Sequence, residues 1–453
     1  MLIERIYDFS PIFLQNIMCS IKGYQQESER YGGRYRYYRK YFKDFDSLSF
    51  DEKKKEQIKK LKELLEYAVT YSTFYANLYK DIDVSQISSI EDLKILPIID
   101  KEMLRNNIEE IMTVSLKDAS VSHTGGTTGK SLTVRFTKDD MRQRMALLDN
   151  FKARVGFENM EMKRATFNGK HIVPPQQKSK VFWRYNAACK QMIYSSFHLT
   201  EENMEAYVRS LNDFKPDAID GFFSCMCDLA SYIERKKLCL KFKPVAIFPT
   251  SETLTETGRE LLERVFKCRV YNQYASSEGA PFVTECANQV LHMEMASGVI
   301  ENIDEDNSEV LVTSFTTHGT PLIRYRIGDR MAFSGIHECS CGMCSQIVED
   351  IQGRKLDYLY TSKGAKVNSG NVANILKNLP NAVINAQFIQ DAVNKMTVLL
   401  KVDPRVYDEK CERVLISEIV HKFGVDMEID IRVVDEIPRE KSGKFKMIIN
   451  KVV

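Results

Sequence analysis

The sequence predicts an α/β protein with a large N-terminal domain, built on mostly parallel sheets flanked by helices, and a small C-terminal α+β domain. From residue 121 to about 350, short β-rich runs alternate with helical ones. A Gly-, Ser- and Lys-rich stretch follows at 351–372, and a second pattern of strands and one helix comes after it. With 453 residues, the chain is also too long for one compact core. We therefore divide it into a helical region (1–120), a core with a Cys-rich insert (121–352) and a small domain (353–453).

The first 120 residues read as helical and charged. Ile58, Leu61, Leu64 and Leu65 recur at the spacing of one helix face. The segment YGGRYRYYRKYF (31–42) interleaves aromatic residues with arginines, which is typical of RNA or phospholipid contact, but no second basic element extends a groove. We therefore expect its tyrosines to pack inward. The apolar start (1–19) is expected to pack on the body, with an amphipathic membrane-surface helix as the alternative.

The later regions differ in the order of their strands and helices. PDAIDGFF leads into CDLASYIERKK, PVAIFPT leads into ETGRELLERVF, and RVYNQYAS follows. Strand–helix–strand alternation of this kind predicts a mostly parallel sheet covered by helices. After the Gly-rich stretch, AQFIQDAV, KMTVLLKV, CERVLISEIVHKF and DIRVVDEIP predict strand, strand, helix and strand. This order gives the small α+β domain.

Charge and cysteine usage narrow the class of protein. The chain has 64 basic and 62 acidic residues and a net charge of +2, so no global field attracts nucleic acid. Eleven cysteines are an odd number, and the start of the chain lacks the uninterrupted apolar core of a signal peptide. No apolar run reaches the roughly 18–20 residues of a membrane span. We expect a cytoplasmic protein without a transmembrane segment, whose thiols are free or bound to metal.

The segment SHTGGTTGKSLTVRF (122–136) resembles a phosphate-binding loop but does not match the Walker A consensus. A P-loop needs G-x-x-x-x-G-K-[ST], and Thr124 stands where its first glycine belongs. Glycines let backbone N–H groups approach phosphates, while threonine hydroxyls and a lysine add donors and charge. We expect a polyphosphate site here, with a Gly/Thr-rich hairpin turn as the alternative. Its residues are Thr124, Gly125, Gly126, Thr127, Thr128, Gly129 and Lys130.

Five further motifs follow this loop in a fixed order. They are TSE (250–252), YASSEGA (274–280), RYRIGDR (324–330), GRKLDYL (353–359) and PREKSGKFK (438–446). The series resembles the adenylate-forming superfamily of acyl-CoA synthetases, adenylation domains and luciferases. The likeness is greatest to the phenylacetate–CoA ligase branch and, within it, to the CapK-type capsular-polysaccharide proteins, and it covers nearly the whole chain. It implies that ATP and Mg²⁺ activate a carboxylic acid to an acyl-adenylate, which then reacts with CoA.

The resemblance also implies roles for individual residues. Lys444, Glu278 and Thr128 form the expected catalytic set: Glu278 would hold Mg²⁺, and Lys444 would bridge the carboxylate and the α-phosphate. Asp329 would bind the ribose hydroxyls with help from Arg354. Ser277 would contact the α-phosphate. The other expected ATP contacts are Ser251, Glu252 and Gln273 around the adenine, together with Tyr274, Ala275 and Ser276.

The chain departs from the usual pattern of that superfamily at two positions, and two of its segments are candidates for the acyl pocket. Ala275 replaces the usual glycine after the tyrosine. The small domain of the family is mobile about a hinge that is commonly Asp, whereas this chain has Leu356 there, with Asp357 next. The segments FNGKH (167–171) and GFFSCM (221–226) are expected to line the acyl pocket, and their phenylalanines suggest a small or aromatic acid. The candidate pocket residues are Lys170, His171, Phe222 and Phe223.

The segment HECSCGMC (337–344) packs three cysteines into six residues, a density that suits tetrahedral zinc. Members of the phenylacetate–CoA ligase branch look similar, with a Cys…His pair and a later C-x-C. We expect a structural Zn²⁺ site, because four sulfur or nitrogen ligands leave no open position for chemistry. Free thiols in a β-hairpin are the alternative. The expected ligands are Cys286, His292, Cys339 and Cys341, with Cys344 or His337 as substitutes.

Three functions follow from these patterns. The first is an AMP-forming ligase that passes the acyl group to CoA. The second keeps the adenylation but transfers the acyl group to an amine or hydroxyl of a sugar or carrier in surface polysaccharide biosynthesis. The third is a non-catalytic nucleotide-binding scaffold, against which the complete set of charged motif residues argues. A homodimer is expected by analogy with the phenylacetate–CoA ligase branch.

Overall fold

The computed structural model describes residues 2–123, 132–170, 172–174, 177, 179–304, 307–354, 358–362, 366–368, 372, 375–376, 379, 382–440 and 445–452. Residues 2–111, all of them described, form seven α-helices, which confirms the helical character predicted for this region. Two short 3-10 helices, Val84–Gln86 and Glu91–Ile95, lie between the fifth and sixth α-helix. The α-helices are α1 (Leu2–Phe9), α2 (Ile12–Tyr31), α3 (Tyr35–Asp46), α4 (Phe50–Tyr71), α5 (Thr73–Leu78), α6 (Lys101–Asn106) and α7 (Ile108–Ile111).

Helix α4 shows how local sequence sets these elements. Ser49 and Glu52 form a capping box, in which the Ser49 N–H donates to the Glu52 carboxylate at 2.9 Å and the Glu52 N–H donates back to Ser49 Oγ. The reciprocal bonds satisfy backbone donors that the first turn leaves unpaired. Leu61, Leu64 and Leu65 are buried on one face, as their spacing predicted.

The aromatic and basic segment at 31–42 packs inward through most of its aromatic side chains. It spans the last residue of α2, a turn and the first part of α3, which lies against α8 (Lys138–Arg154). The Tyr35 hydroxyl donates to Asp149 Oδ2 at 2.8 Å, and the Tyr38 hydroxyl donates to Asp139. Tyr38 is buried. The expectation that the tyrosines of this segment pack inward is therefore confirmed for Tyr35 and Tyr38, whereas Tyr37 is 56% exposed.

Strands β1 (Ala119–His123) and β2 (Thr133–Thr137) form an antiparallel hairpin on either side of the predicted phosphate loop. The register places His123 opposite Thr133, so the two arms meet directly before and after the loop. Residues 124–131, which include the whole predicted loop, lie outside the described residues.

A six-stranded sheet with the order β4-β5-β3-β6-β7-β8 confirms the predicted alternation of strands and helices. Only the edge strand β4 runs antiparallel to its neighbour. Its strands are β3 (Arg164–Asn168), β4 (Trp183–Asn186), β5 (Gln191–Ser195), β6 (Ala218–Phe222), β7 (Ala246–Thr250) and β8 (Arg269–Val270). The helices between them are α9 (Met204–Phe214), α10 (Phe223–Arg235) and α11 (Glu256–Phe266).

Helix α2 covers the open edge of this sheet with polar side chains. Asn16 Oδ1 accepts a hydrogen bond from the Tyr185 N–H at 3.0 Å, and Ser20 Oγ accepts one from the Ala187 N–H at 3.0 Å. The first bond satisfies a backbone group that an edge strand leaves unpaired, and the second satisfies one in the turn directly after β4. The N-terminal segment therefore packs on the body as expected, with several apolar side chains on the outside. The exposed ones in α1 and α2 include Phe9, Phe13, Ile17, Ile21 and Tyr24.

A seven-stranded sheet with the order β12-β13-β14-β15-β11-β10-β9 is antiparallel throughout, unlike the six-stranded one. Short connections, rather than crossover helices, join several of its neighbours, and only antiparallel strands can be joined in this way. Its strands are β9 (Gln273–Tyr274), β10 (Val283–Glu285), β11 (Leu291–Met293), β12 (Gly298–Asp304), β13 (Asn307–Ser314), β14 (Tyr325–Phe333) and β15 (Ile347–Arg354).

The C-terminal part has its own hydrophobic core, to which Phe388, Val398 and Leu415 belong. Strands β16 (Tyr358–Tyr360) and β17 (Lys366–Asn368) pair, and a four-stranded sheet follows with the order β20-β19-β18-β21. The predicted order of strand, strand, helix and strand is confirmed. The elements are β18 (Val383–Ala392), β19 (Lys395–Val402), α12 (Glu409–Phe423), β20 (Glu428–Val433) and β21 (Ile448–Asn450).

Across the described ranges, no helix combines enough length with enough apolar character to cross a membrane.

Candidate functional site

Several expected site residues cannot be located in the described part of the chain. The whole phosphate loop (124–130), His171, Lys444 and the hinge candidates Leu356 and Asp357 lie outside it. The backbone of Arg354 forms the last position of β15. The described site therefore consists of the motifs at 250–252, 274–280 and 324–330, the strands beside them and the cysteine cluster.

Glu278, the expected Mg²⁺ ligand, is almost completely buried and faces a lysine. Its side chain is 3% exposed, and its Oε1 lies 3.5 Å from Nζ of Lys101, the first residue of α6. A buried carboxylate is costly unless it is paired with a cation. Lys101 supplies that cation and was missed by the sequence analysis, because it lies in no recognisable motif and meets Glu278 only through the fold.

The turn that carries Glu278 is held in one conformation from two sides. Ser276 Oγ accepts hydrogen bonds from the N–H groups of Gly279 (3.1 Å) and Ala280 (3.0 Å). The buried guanidinium of Arg144, from α8, donates to the carbonyls of Gly279 (3.0 Å) and Ala280 (3.2 Å). Burial lowers the pKa of Arg144 to about 10, so it stays charged at neutral pH. Gly279 has φ of 106°, which other residues rarely adopt.

Asp329, the expected ribose ligand, lies where three motifs meet. It is in β14 and pairs in register with Arg354 on β15. Its Oδ2 accepts a hydrogen bond from the Tyr274 hydroxyl at 2.6 Å, and Asp329 is 7% exposed. Strands β9 and β14 are not neighbours in the sheet order, so this bond shows that the sheet curls around the site. A carboxylate offers two oxygens with about four lone-pair sites, which suits recognition of adjacent hydroxyls.

The residues expected around the adenine lie at neighbouring strand ends. Gln273 in β9 donates through Nε2 to the Pro249 carbonyl of β7 at 3.2 Å. Ser251 is exposed and has φ of 67°, an uncommon conformation for a residue with a side chain. Both oxygens of Glu252 accept hydrogen bonds, from Ser224 of α10 and from the Phe445 N–H. Exposed residues of the next motif are Ala275 and Ser277.

The two segments expected to line the acyl pocket begin side by side. Phe167 of β3 pairs in register with Gly221 of β6, so both segments leave the same carboxyl edge of the parallel sheet, where such folds bind ligands. Phe222 and Phe223 are buried, and the Phe223 ring occupies the space where a Cβ on Gly258 would lie. Lys170 is exposed just beyond β3.

The structure brings the four expected zinc ligands together. The ligand atoms of Cys286, His292, Cys339 and Cys341 all lie within 4.8 Å of one another. The sulfurs of Cys286 and Cys339 are 3.9 Å apart, and Cys341 Sγ is 3.7 Å from His292 Nε2. Tetrahedral zinc, with bonds of about 2.3 Å to sulfur and about 2.0–2.1 Å to nitrogen, puts two sulfurs about 3.8 Å apart and sulfur and nitrogen about 3.6 Å apart. The residues therefore fit tetrahedral zinc.

The groups around the cluster also suit a metal. Ser345 Oγ lies 2.7 Å from His292 Nδ1, which leaves Nε2 toward the sulfurs. Burial lowers the pKa of His292 to about 4, so the imidazole is neutral at neutral pH, as a metal ligand must be. Backbone N–H groups point at the sulfurs, since those of Asn288 and Met343 donate to Cys286 and Cys341 at 3.4 Å each. Such donors stabilise thiolates.

Neither substitute ligand belongs to the group of four that the described residues form. The His337 ring stacks on Phe50 with ring centroids 4.0 Å apart. The carbonyl of Cys344 accepts a hydrogen bond at 2.9 Å from the buried ammonium of Lys53 in α4. Helix α4 thus holds the cysteine hairpin from outside, while the cluster ties the hairpin to the β10–β11 connection.

Comparisons with known proteins agree with this architecture. A model of the CapK C-terminal domain matches residues 359–451. The chain is 34% identical to Protein CapK of Staphylococcus aureus, with 100% of each chain covered. It is 23% identical to a phenylacetate-coenzyme A ligase of Thermus thermophilus, over 90% of this chain and 99% of that protein.

Solved structures show the same fold. A 2-hydroxyisobutyryl-CoA ligase in the postadenylation state, in complex with R3-HIB-AMP, superposes with a TM-score of 0.72 at 16% identity and covers 90% of this chain and 91% of its own. The same ligase in the thioesterification state gives 0.55 at 17% identity, with the same coverage of both chains. From the full-length relative and the matching C-terminal model, we conclude that the chain belongs to the CapK family, within the adenylate-forming superfamily of ligases.

Proposed function

We propose that the protein is an AMP-forming ligase that activates a carboxylic acid with ATP. One observation carries the proposal: Asp329 accepts a hydrogen bond from Tyr274 and lies opposite Arg354, so three motifs that are distant in the sequence form one site. In the first step, a carboxylate oxygen attacks the α-phosphorus, and the bond to the pyrophosphate oxygen breaks. The products are an acyl-adenylate and pyrophosphate.

Each side chain then has a task in bringing two anions together. Glu278 would hold Mg²⁺, which supplies positive charge to the phosphates when bound. The other ligands of such an ion are oxygen atoms, mostly from water and the nucleotide. Lys101, 3.5 Å from Glu278, adds a second cation on the same side. Lys130 and Lys444 would bring charge to the polyphosphate and to the reacting oxygen. Preorganised charges of this kind lower the barrier where negative charge accumulates.

The proposed acceptor is CoA, whose thiol would attack the acyl carbonyl and displace AMP. The support is the relative named phenylacetate-coenzyme A ligase, of which this chain spans 99%. An amine or hydroxyl of a sugar or carrier is the second candidate, because the relative with 34% identity carries the name CapK rather than that of a CoA ligase. The four-ligand cluster would hold a structural Zn²⁺ in either case.

The test is ATP–pyrophosphate exchange against a panel of carboxylic and amino acids. We expect exchange that depends on one acid and falls roughly 10²–10³-fold in Lys444→Ala. Lys446→Ala is the matched control, because the structure uses the backbone carbonyl of Lys446, which accepts a bond from Gln387. Product analysis with CoA, and separately with amino sugars, would then identify the acceptor.

Two other results would contradict the proposed ligase activity. ATP binding without exchange for any acid would favour the non-catalytic scaffold. Absence of ATP binding in calorimetry would contradict the assignment of the loop and of the motif site together.

A further inference from the structure

The small domain contacts the large one through a partly buried arginine. Arg439 lies in the segment after β20, and its guanidinium donates to Ser224 Oγ and to Asp228 Oδ2, both at 2.7 Å. Ser224 and Asp228 are four residues apart and therefore lie on one face of α10. Asp228 is nearly fully buried, and the Arg439 side chain is about one fifth exposed. An ion pair with so little water around it is screened less than a surface pair.

Glu252 extends this contact to the end of the chain. Its Oε2 accepts a hydrogen bond from the Ser224 N–H at 2.7 Å, and its Oε1 accepts from the Ser224 hydroxyl at 2.9 Å and from the Phe445 N–H at 2.8 Å. Ser224 is thus shared, because its hydroxyl accepts from Arg439 and donates to Glu252. One continuous network joins α10, the loop after β7 and two points of the small domain.

Two features of α10 stabilise the charged groups of this network. Glu252 lies at the N-terminal end of α10, where the helix dipole and unpaired N–H groups favour an anion. Asp228 balances Arg439 on the other side of Ser224. A second contact lies farther along α10, where Arg405 of the small domain donates to the Arg235 carbonyl at 3.3 Å.

We propose that Glu252 and Arg439 are positioning residues that hold the small domain on α10 during adenylation. The inference rests on the proposed function, in which Lys444, the residue directly before Phe445 in the sequence, acts in that step. It gives Glu252 a role other than the adenine contact expected from the sequence. Because the bonds cross between domains, they must break whenever the small domain turns away. Their loss should therefore impair the first step and spare the transfer step.

The first experiment measures amide hydrogen exchange by mass spectrometry on the full-length chain. Glu252→Gln keeps the size of the side chain but replaces one acceptor oxygen by a donor, and Arg439→Ala removes the ion pair. We expect exchange at the Phe445 amide, followed in a peptide that begins several residues before it, and in the first turn of α10 to rise roughly 10-fold to 100-fold, as for loss of hydrogen bonds to charged groups. Amides in β18 and β19 should not change.

Matched controls are available in both domains. Glu256→Gln alters an exposed carboxylate of α11, and Arg432→Ala alters an exposed arginine of β20 whose partner, Asp430, lies in the same strand. Neither should change exchange at Phe445. Unchanged exchange at Phe445 in both Glu252→Gln and Arg439→Ala would overturn the proposal, whatever the catalytic activity.

The second experiment separates the two half-reactions. With the acid found by pyrophosphate exchange, we expect Glu252→Gln and Arg439→Ala to lower kcat at least about 10-fold, with KM for ATP within about 2-fold. Transfer from a supplied acyl-adenylate to the acceptor should keep its wild-type rate, and Arg439→Lys should recover part of the first step. An equal loss in both half-reactions would overturn the positioning role. If the wild type exchanges with no acid, the proposed function fails, and hydrogen exchange alone decides whether these residues hold the domain.

Discussion

Replacement of Cys341 by serine should remove a structural zinc ion and destabilise the large domain. The wild-type chain should carry about one Zn²⁺, because four ligand atoms stand at the spacing of a tetrahedral site. Serine keeps the size of the residue but lacks the sulfur that lies 3.7 Å from His292. Cys344→Ser is the matched control, since Cys344 is in the same hairpin and outside the group of four ligands.

The magnitude follows from the loop that the metal closes. Cys286 and Cys339 are 53 positions apart. Cross-linking a loop of about 54 residues removes about 14 cal/mol/K of entropy from the unfolded chain, which is about 4 kcal/mol at 25 °C. A metal clip acts on the unfolded chain in the same way as a disulfide. We therefore expect loss of the ion to lower the free energy of unfolding by about 4 kcal/mol and Tm by several degrees.

The assay combines metal analysis with thermal unfolding. Zinc per chain is measured by mass spectrometry after dialysis against a weak chelator, and Tm is measured with and without a strong chelator. We expect Cys341→Ser to be metal-free and insensitive to the chelator, with Cys344→Ser like the wild type. A wild-type chain without zinc whose Tm ignores both chelator and added Zn²⁺ would refute the metal site and favour free thiols.

Three further outcomes are expected. Asp329→Asn should weaken AMP binding roughly 10-fold to 100-fold in calorimetry, because hydrogen bonds to a charged group contribute about 1.5–3 kcal/mol. Lys101→Ala should raise KM for ATP and the Mg²⁺ concentration needed in pyrophosphate exchange, since Glu278 loses the cation 3.5 Å away. Burial lowers the pKa of His318, but the hydrogen bond and charge of Asp140, 2.7 Å away, outweigh it and hold that pKa above 6.5. Its stabilisation is thus full below pH 6.5 and is lost as pH rises through the raised pKa, so His318→Gln should cost more stability at pH 6 than at pH 9 in urea unfolding.

These predictions have simple controls. Asp350→Asn alters an exposed carboxylate of β15 and should leave AMP affinity unchanged, and Lys94→Ala alters an exposed lysine before α6 and should leave KM unchanged. Equal effects in the controls would assign the losses to general destabilisation. For His318, an equal cost at both pH values would contradict the ion pair with Asp140.

The sequence was most informative where chemistry depends on local spacing. The three cysteines at 337–344 and the Cys286/His292 pair pointed to a four-ligand site because metal ligands need particular residue types within short intervals, and the structure groups the chosen four. The helix face of α4 and the order of elements in the small domain followed from periodicity for the same reason. Each of these patterns is set by contacts within a few residues or by repeated hydrophobicity.

Contacts between residues that are distant in the sequence were found only through the fold. Lys101 lies in no motif, and Arg439 lies in the motif at 438–446 without a role that the sequence assigned to it. Their partners, Glu278 and Asp228, come from remote parts of the chain. The bond from Tyr274 to Asp329 likewise depends on the curl of a sheet whose strands are not neighbours. No local pattern encodes such encounters.

By itself, the sequence determined the α/β class, the order of the motifs and the residue types that can bind nucleotide and metal, because these depend on periodicity and short-range spacing. Tertiary structure alone decided that the second sheet is antiparallel, that Lys101 neutralises Glu278, and that Glu252 accepts a bond from Phe445. The physical reason is that charge pairing and hydrogen bonding act over a few ångströms in space. Which groups come within that range is set by the packing of the whole chain.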